Sequence, residues 1–183
     1  MMSFSWSNGT YSGNQKDGKP NGFGSFQNDE FAYIGEFEGG LFHGKGNQKW
    51  KNGREYEGEY KDGVQNGKGK FKELDGTYEG EWKGGLMHGQ GTFKWFDGHK
   101  YVGTYVDGVS NGKGFYSKAS GDSFEGEFVD GCWHGKGRYT WADGRVYVGE
   151  WLNNMPHTAA GMEYSGGKWY KVQVCLCVYR VRA

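Results

Sequence analysis

Four histidines recur at one place in a repeating pattern, and a row of imidazoles is a common source of zinc ligands. They are His43, His88, His134 and His157. The same place in the intervening repeats holds an asparagine. If each repeat is a hairpin, equivalent side chains on neighbouring hairpins lie about 10 Å apart, whereas zinc needs every ligand atom within about 2.0–2.3 Å of one centre. We therefore expect no metal site within one chain and interpret these residues as polar side chains that fix a turn. A site formed between chains is the alternative.

Three other motifs resemble catalytic or ligand-binding signals. Gly108-Val-Ser110-Asn-Gly112 fits the G-x-S-x-G nucleophile pattern, but Gly63-Val-Gln65-Asn-Gly67 occupies the equivalent place in another repeat without a nucleophile. The Gly-Lys-Gly segments lack the third glycine and the following helix of a dinucleotide-binding loop. Cys175 and Cys177 place two thiols on one face of a strand, a weak metal signal without further ligands. The sequence thus predicts no catalytic residue, cofactor or metal, and we expect no enzyme.

The repeat itself determines where these residues must lie. A motif of aromatic-x-Gly-x-aromatic begins at six places, Tyr33, Tyr56, Tyr78, Tyr101, Phe124 and Tyr147, and a poorer copy begins at Tyr11; each start lies 22 or 23 residues after the last. Counting the opening aromatic residue as position 1, glycine recurs at positions 3, 8, 12, 14 and usually 21. Repetition at a fixed period indicates an array of one structural unit.

Each repeat is predicted to be a β-hairpin. Tyr78, Gly80 and Trp82 alternate with charged residues, as in a strand with one apolar face. A Gly-Gly or Asp-Gly pair then turns the chain, and Asp97-Gly98 turns it back. Glycines at positions 3 and 14 leave room for a neighbouring ring to lie across the backbone. We therefore predict an all-β protein.

Composition excludes several other classes. The chain has 183 residues with 36 glycines and 33 aromatic residues, and its 22 basic and 22 acidic residues cancel. So many glycines rule out amphipathic helices. A net charge of zero provides no overall positive potential that would attract nucleic acid. The N-terminus lacks the features of a signal peptide. Three cysteines favour a reducing compartment, so we expect a cytoplasmic location.

The pattern Y-x-G-x-[WFY] followed by G-x-x-[HN]-G-x-G resembles the MORN repeat (membrane occupation and recognition nexus) over about residues 6–161. The resemblance implies an elongated, twisted, single-layer antiparallel sheet of about seven tandem hairpins plus a half-unit. It also implies a non-catalytic scaffold in a cytoskeletal, ciliary or membrane-associated complex. We divide the chain into an N-terminal cap or half-repeat (1–10), the repeat array (11–161) and a C-terminal capping or docking strand (162–183).

Alternate repeats differ at positions 10 and 18, which predicts a groove for a protein partner. Tryptophan occupies position 18 in every second repeat, and the same repeats carry bulky residues at position 10. The predicted groove residues are Trp6, Phe42, Trp50, Met87, Trp95, Trp133 and Trp141. Aromatic side chains of this kind dominate protein interfaces. The alternative is that large and small residues alternate only to pack a twisted sheet.

The opposite face carries rows of charge. Glutamate is frequent at position 4, and lysine occupies position 13 as Lys45, Lys68, Lys113 and Lys136. The two rows can neutralise one another. Binding of phosphoinositide or anionic membrane by the lysines is therefore the alternative function rather than the leading one.

Toward the C-terminus this face becomes apolar, which predicts an interface. The residues are Val102, Val106, Val129, Val148, Leu152, Val174, Leu176 and Val178. A strand that is apolar on both faces needs a cover on each side. Two alternatives remain: the tail folds back as a cap, or it pairs with a second chain, as a homodimer or with another protein. We favour the second. The leading function is a scaffold that binds protein partners through the aromatic groove and dimerises or docks through its C-terminal end.

Overall fold

The computed structural model describes residues 3–157 and 161–172. Every regular element in these residues is a β-strand, so none of them forms a helix that could span a membrane. The chain divides into two compact units, residues 1–96 and 97–183. The predicted all-β fold of tandem hairpins is confirmed in each.

Unit 1 is a single-layer antiparallel sheet in which each strand pairs with the next along the chain. Its strands are β1 Ser3–Trp6, β2 Gly9–Lys16, β3 Lys19–Gln27, β4 Phe31–Glu38, β5 Leu41–Trp50, β6 Glu55–Lys61, β7 Val64–Lys72, β8 Gly76–Lys83 and β9 Leu86–Trp95.

Unit 2 repeats this arrangement, and there β14 pairs with both β15 and β16. Its strands are β10 Lys100–Val106, β11 Val109–Ser117, β12 Ser123–Val129, β13 Cys132–Thr140, β14 Val146–Leu152, β15 Met155–Pro156, β16 Gly161–Ser165 and β17 Lys168–Val172. The described part of the predicted C-terminal strand is therefore a further hairpin, β16–β17.

The turns at positions 7 and 8 have the predicted hairpin geometry. Asp62 and Gly63 both have positive φ, 51° and 85°, as a type I′ turn requires. The amide of Gly63 also donates a hydrogen bond to the carbonyl of Phe42 in the preceding repeat, at 2.9 Å. In unit 2, Gly131 does the same to Ser110 at 3.0 Å. Each turn thus connects its hairpin to the one before.

Glycines at positions 3 and 14 pair across neighbouring strands and form a line perpendicular to them. In unit 1, Gly35 pairs with Gly46, and Gly46 pairs with Gly58. A Cβ atom added at Gly46 would overlap the Tyr33 ring, which lies over the backbone there. The ring occupies the space that a side chain at position 14 would fill. This confirms the predicted role of these glycines.

A β-bulge explains the glycine at position 12. Strand register shifts by two residues between Gly35 and Glu36, and this leaves Gly44 and Lys45 without partners on β4. Gly44 has a φ of 54°, the left-handed region that favours glycine. The Glu36 carboxylate accepts a hydrogen bond from the Lys45 amide at 3.0 Å. Glu59 and Glu81 accept the equivalent amides at 3.3 and 3.2 Å. Position 4 glutamates therefore stabilise the bulge.

Candidate functional site

The buried face of each unit is a continuous series of aromatic rings. Position 1 rings are buried, and position 5 rings stand edge-on between them. In unit 1, Phe37 contacts Tyr11 and Tyr33 with ring centroids 5.0 and 5.1 Å apart, and Tyr60 contacts Tyr33 and Tyr56 at 5.2 and 5.1 Å. T-shaped contacts of this geometry stabilise beyond the area they bury. The rings act as the core of the single-layer sheet.

Predicted groove residues at position 10 form a second layer on these rings. Phe42 stacks on Tyr33 with centroids 3.9 Å apart and an angle of 11° between planes. Trp133 stacks on Phe124 at 4.5 Å and 10°. Both rings, like Met87, are half-buried, so each covers the core with one side and leaves part of the other exposed. Packing accounts for the covered sides, as the alternative interpretation expects.

The position 18 tryptophans lie at the other end of their strands. Trp50 contacts Phe71, Trp95 contacts Phe93 and Trp141 contacts Tyr139, with centroids 6.0, 4.5 and 4.9 Å apart respectively. All three tryptophans are half-buried. Trp6 belongs to β1, but its side chain lies outside the described residues.

Each of these three tryptophans opens a motif that the sequence analysis did not identify, W-x-[DN]-G-[RH]. In Trp50-Lys-Asn-Gly-Arg54, the Trp50 amide donates to the Arg54 carbonyl at 3.0 Å, and the Arg54 amide donates to the Asn52 side chain at 3.2 Å. In the third copy, the Arg145 guanidinium lies 4.9 Å from the centre of the Trp141 ring, a cation–π contact. The motif could have been found in the sequence, because it stands at the same place in every second repeat. The turn holds Trp50 and Trp141 in a fixed position.

Two of the three repeats without this tryptophan have a charged side chain at position 18 that forms an ion pair. Glu73 at position 18 forms an ion pair with Arg54 of the preceding turn. In unit 2, the Lys118 ammonium lies 3.7 Å from the Asp122 carboxylate and donates to the Tyr139 hydroxyl at 3.1 Å. The hydrogen bond with Tyr139 raises the pKa of Lys118, so this lysine is charged at neutral pH.

Tyrosine hydroxyls of the core donate to backbone carbonyls. Tyr56 donates to Glu59 at 3.0 Å and Tyr78 donates to Glu81 at 2.9 Å. Burial raises the pKa of Tyr78 to about 12, with the Glu81 charge adding to the effect. Burial also raises the pKa of Tyr101 to about 12. The phenols are neutral at physiological pH and serve the fold.

On the opposite face, the line of glycines is the floor of a groove in each unit. The groove of unit 1 encloses about 880 Å³ and that of unit 2 about 610 Å³. Lys45 and Lys68 line the first, and Lys136 lines the second. Each predicted lysine of the row pairs across strands with a glutamate: Lys45 with Glu59, Lys68 with Glu81, Lys113 with Glu127, and Lys136 with Glu150. The lysine row therefore carries compensated charge.

The position 11 histidines occur one to a repeat. His43 Nε2 is 3.3 Å from the Glu38 carboxylate. Within residues 3–157 and 161–172, no three His, Cys, Asp or Glu side chains come close enough to hold a metal ion. Cys175 and Cys177 lie outside the described residues.

Five residues of the predicted C-terminal interface are on the opposite face of unit 2. Val102, Val106, Val129 and Val148 are exposed, and Leu152 is half-buried. The structure adds four exposed residues that the prediction missed: Val109, Phe115, Met155 and Met162. Val174, Leu176 and Val178 lie outside the described residues.

Comparison with known proteins agrees with this geometry. The sequence model of the MORN repeat matches residues 11–28, 33–53, 56–72, 78–100, 101–123, 124–144 and 147–157. The chain belongs to the MORN repeat family. No curated protein matches the MORN chain significantly.

Among solved structures, the MORN chain is similar to the TCP domain of SAS-4 (dCPAP) from Drosophila melanogaster, which was solved in complex with a proline-rich motif of Ana2 (dSTIL). The TM-score is 0.50 at 12% sequence identity, and the match covers 84% of this chain and 85% of the other. At this identity the similarity concerns the fold alone. The MORN repeats fit a role in protein interaction.

Proposed function

We propose that this protein is a non-catalytic scaffold that binds a protein partner along its aromatic face. The observation that carries the proposal is the presence of half-buried tryptophans in both units, Trp50 and Trp95 in unit 1 and Trp141 in unit 2. The amides of Trp50 and Trp141 each donate a hydrogen bond across the same type of turn. Tryptophan is enriched among the residues that dominate binding energy at interfaces. Rigid presentation reduces the entropy that is lost on binding.

The partner we propose is an extended, proline-rich segment. Aromatic grooves bind such segments because the polyproline II conformation is already formed and proline rings pack on aromatic faces. In unit 1, Glu73 belongs to the repeat between those of Trp50 and Trp95 and forms an ion pair with Arg54, so a polar group lies between the aromatic ones. The TCP domain of SAS-4 was solved with a proline-rich motif, which supports the same class of ligand on a similar fold.

Tryptophan fluorescence with an oligoproline peptide tests the ligand class. We expect saturable quenching by the wild type and at least about ten-fold weaker binding by the triple variant W50A/W95A/W141A. Leu74→Ala is the matched control, since Leu74 is an exposed apolar side chain at a turn without tryptophan. Circular dichroism checks that each variant folds. Equal binding by wild type and triple variant contradicts the proposal.

Cross-linking in cells tests the face independently of the ligand class. A partner that is captured by the wild type and Leu74→Ala but lost with the triple variant supports binding at the tryptophans. If the captured partners are the same for all three proteins, the aromatic face is not the binding surface.

The lysine row offers no observation that favours lipid binding, because each lysine has a glutamate as its cross-strand neighbour. Binding of phosphoinositide stays a prediction of the sequence. Sedimentation with anionic liposomes at low salt tests it.

A further inference from the structure

The opposite face of unit 2 has three rows of side chains that run across the strands. The first row consists of positions 2 and 15, the second of positions 4 and 13, and the third of positions 6 and 9. All three point away from the aromatic core, because side chains alternate along a strand. The cavity lined by Glu125, Lys136, Arg138, Val148 and Glu150 confirms that the first two rows share one surface.

The first row is symmetric about its centre. Cross-strand pairing places its members in the order Val102, Phe115, Glu125, Arg138, Val148, Met162 on β10, β11, β12, β13, β14 and β16. Two apolar side chains lie at each end, and one acidic and one basic side chain lie between them. A two-fold axis between β12 and β13, parallel to the strands, would bring a second copy face to face with the first. Glu125 would then lie opposite Arg138 of the second copy, and Phe115 opposite its Val148.

The same axis makes the other two rows complementary. In the second row it places Glu127 opposite Lys136 of the second copy, and Lys113 opposite its Glu150. The third row consists of three apolar cross-strand pairs beside the turns: Val106 with Val109, Val129 with Cys132, and Leu152 with Met155. At the axis, Val129 would face Cys132 of the second copy. In the first two rows, apolar side chains meet apolar ones and acidic side chains meet basic ones.

The apolar side chains of these rows are exposed, which indicates that another protein surface packs against this face. Eight of these apolar residues are exposed and retain between 36% and 59% of their accessible surface: Val102, Val106, Val109, Phe115, Val129, Val148, Met155 and Met162. The apolar pairs lie on both sides of the charged second row, and exposed apolar clusters with polar neighbours mark interaction sites. Rows across six strands at about 4.8 Å each, and about 20 Å along the strands, give on the order of 500 Å² per copy. This is below the roughly 800 Å² per partner of a standard interface, so the dimer would be a weak, reversible one.

Unit 1 does not have this property. Its third row alternates Lys61, Val64, Lys83 and Leu86 on β6 to β9. The equivalent axis between β6 and β7 would place Val64 opposite Lys61 of a second copy. Unpaired charge against an apolar side chain opposes association.

We propose that the opposite face of unit 2 binds a second copy of this chain, as a two-fold dimer with its axis between β12 and β13. A two-fold interface requires a self-complementary patch, and the three rows supply one. The dimer leaves the aromatic face free, so it goes beyond the proposed function and does not depend on it. It would present two aromatic faces to one partner or to two.

A charge-reversal experiment on the full chain distinguishes contacts between chains from contacts within one chain. Glu125→Arg alone would place like charges opposite each other at both symmetric contacts, and so would Arg138→Glu alone. We expect each variant by itself to dimerise at least about ten-fold more weakly than the wild type. Mixed together, the two variants would regain opposite charges at both contacts and form a heterodimer. Sedimentation velocity over a concentration series, with one variant fluorescently labelled, measures both effects.

The control is the equivalent pair of unit 1, which also lies in positions 2 and 15 of neighbouring strands. Glu57→Arg and Lys70→Glu should dimerise as the wild type does, since Glu57 and Lys70 pair across β6 and β7. Thermal unfolding followed by circular dichroism shows whether each variant is folded. A monomeric wild type at the highest concentration overturns the proposal. Wild-type dimerisation by both single variants overturns it as well, and so does a mixture without heterodimer.

Discussion

The two units of this MORN protein have the same aromatic face and different opposite faces. In unit 1 the first row on the opposite face carries Asn47, Glu57 and Lys70, whereas the same row in unit 2 carries Val102, Phe115 and Val148. Rings, glycines and turns recur in both units because they form the core and the bends. The repeat therefore fixes the fold, and the positions that the fold leaves free distinguish one unit from the other.

The largest expected effect concerns the contact between a strand glycine and an aromatic ring, which both units share. Gly46→Ala in unit 1 and Gly137→Ala in unit 2 would each push a Cβ atom into the ring above, Tyr33 or Phe124. We expect each to lower the free energy of unfolding by about 2–3 kcal/mol, measured by denaturation with urea.

Gly39→Asp is the matched control for this pair. Gly39 has a positive φ and open space at its Cα, and Asp62 occupies the same position in the next repeat at a φ of 51°. This substitution should cost less than about 1 kcal/mol. A clear difference between Gly46→Ala and Gly137→Ala would show that the two units do not share one packing mechanism.

Alkaline pH is expected to destabilise both units through their buried tyrosines. Burial raises the pKa of Tyr78 and of Tyr101 from the ordinary value of 10.0 to about 12. Because the folded state favours the neutral phenol, this stabilisation is fully present below pH 10 and is lost as the pH rises to about 12. We expect each tyrosine to contribute about 1–2 kcal/mol to the fall in the free energy of unfolding.

Phenylalanine variants measure that contribution. Tyr78→Phe and Tyr101→Phe should each reduce the loss of stability between pH 10 and pH 12, and Tyr170→Phe, at an exposed ring, should not. An unchanged loss in the first two variants would show that other groups cause the alkaline transition. The Phe124 repeat of unit 2 already lacks the titrating hydroxyl.

At neutral pH, we expect the tyrosine hydroxyl at position 1 to make a moderate contribution to the free energy of unfolding. Tyr56→Phe removes the hydrogen bond to the Glu59 carbonyl and leaves the ring in place, as in the Phe124 repeat. We expect a loss of about 1 kcal/mol in the free energy of unfolding. A loss below the error of the measurement would indicate that the ring alone determines the stability of a repeat.

The smallest effect concerns the bulge. Glu59→Thr copies Thr104, the position 4 residue of the first repeat in unit 2, and removes the hydrogen bond from the Lys68 amide. Since this bond is exposed to solvent, we expect a loss of about 0.5 kcal/mol. Glu57→Thr on the same strand is the control and should change the free energy of unfolding by less. Equal losses would assign the effect to surface charge rather than to the bulge.

Most of the fold could be predicted from the sequence, because alternation along a strand and the residue preferences of a turn each involve only a few neighbouring residues. Alternation placed Tyr78, Gly80 and Trp82 on one face, and the Asp62-Gly63 pair indicated the turn. The candidate site could be predicted only in part. Phe42 and Trp133 occur at the predicted positions, but their stacking on Tyr33 and Phe124 depends on contacts between strands that alternation does not specify.

The sequence by itself determined the repeat, the aromatic face and the turns of this protein, since all of these follow from periods of two and of 22 or 23 residues. Only the tertiary structure decided which exposed side chains become neighbours. Glu125 and Arg138 meet because the bulge between Gly126 and Glu127 shifts the register of β12 against β13. Pairing across strands joins residues that are distant in the chain, and their order across the sheet is what makes the opposite face of unit 2 self-complementary.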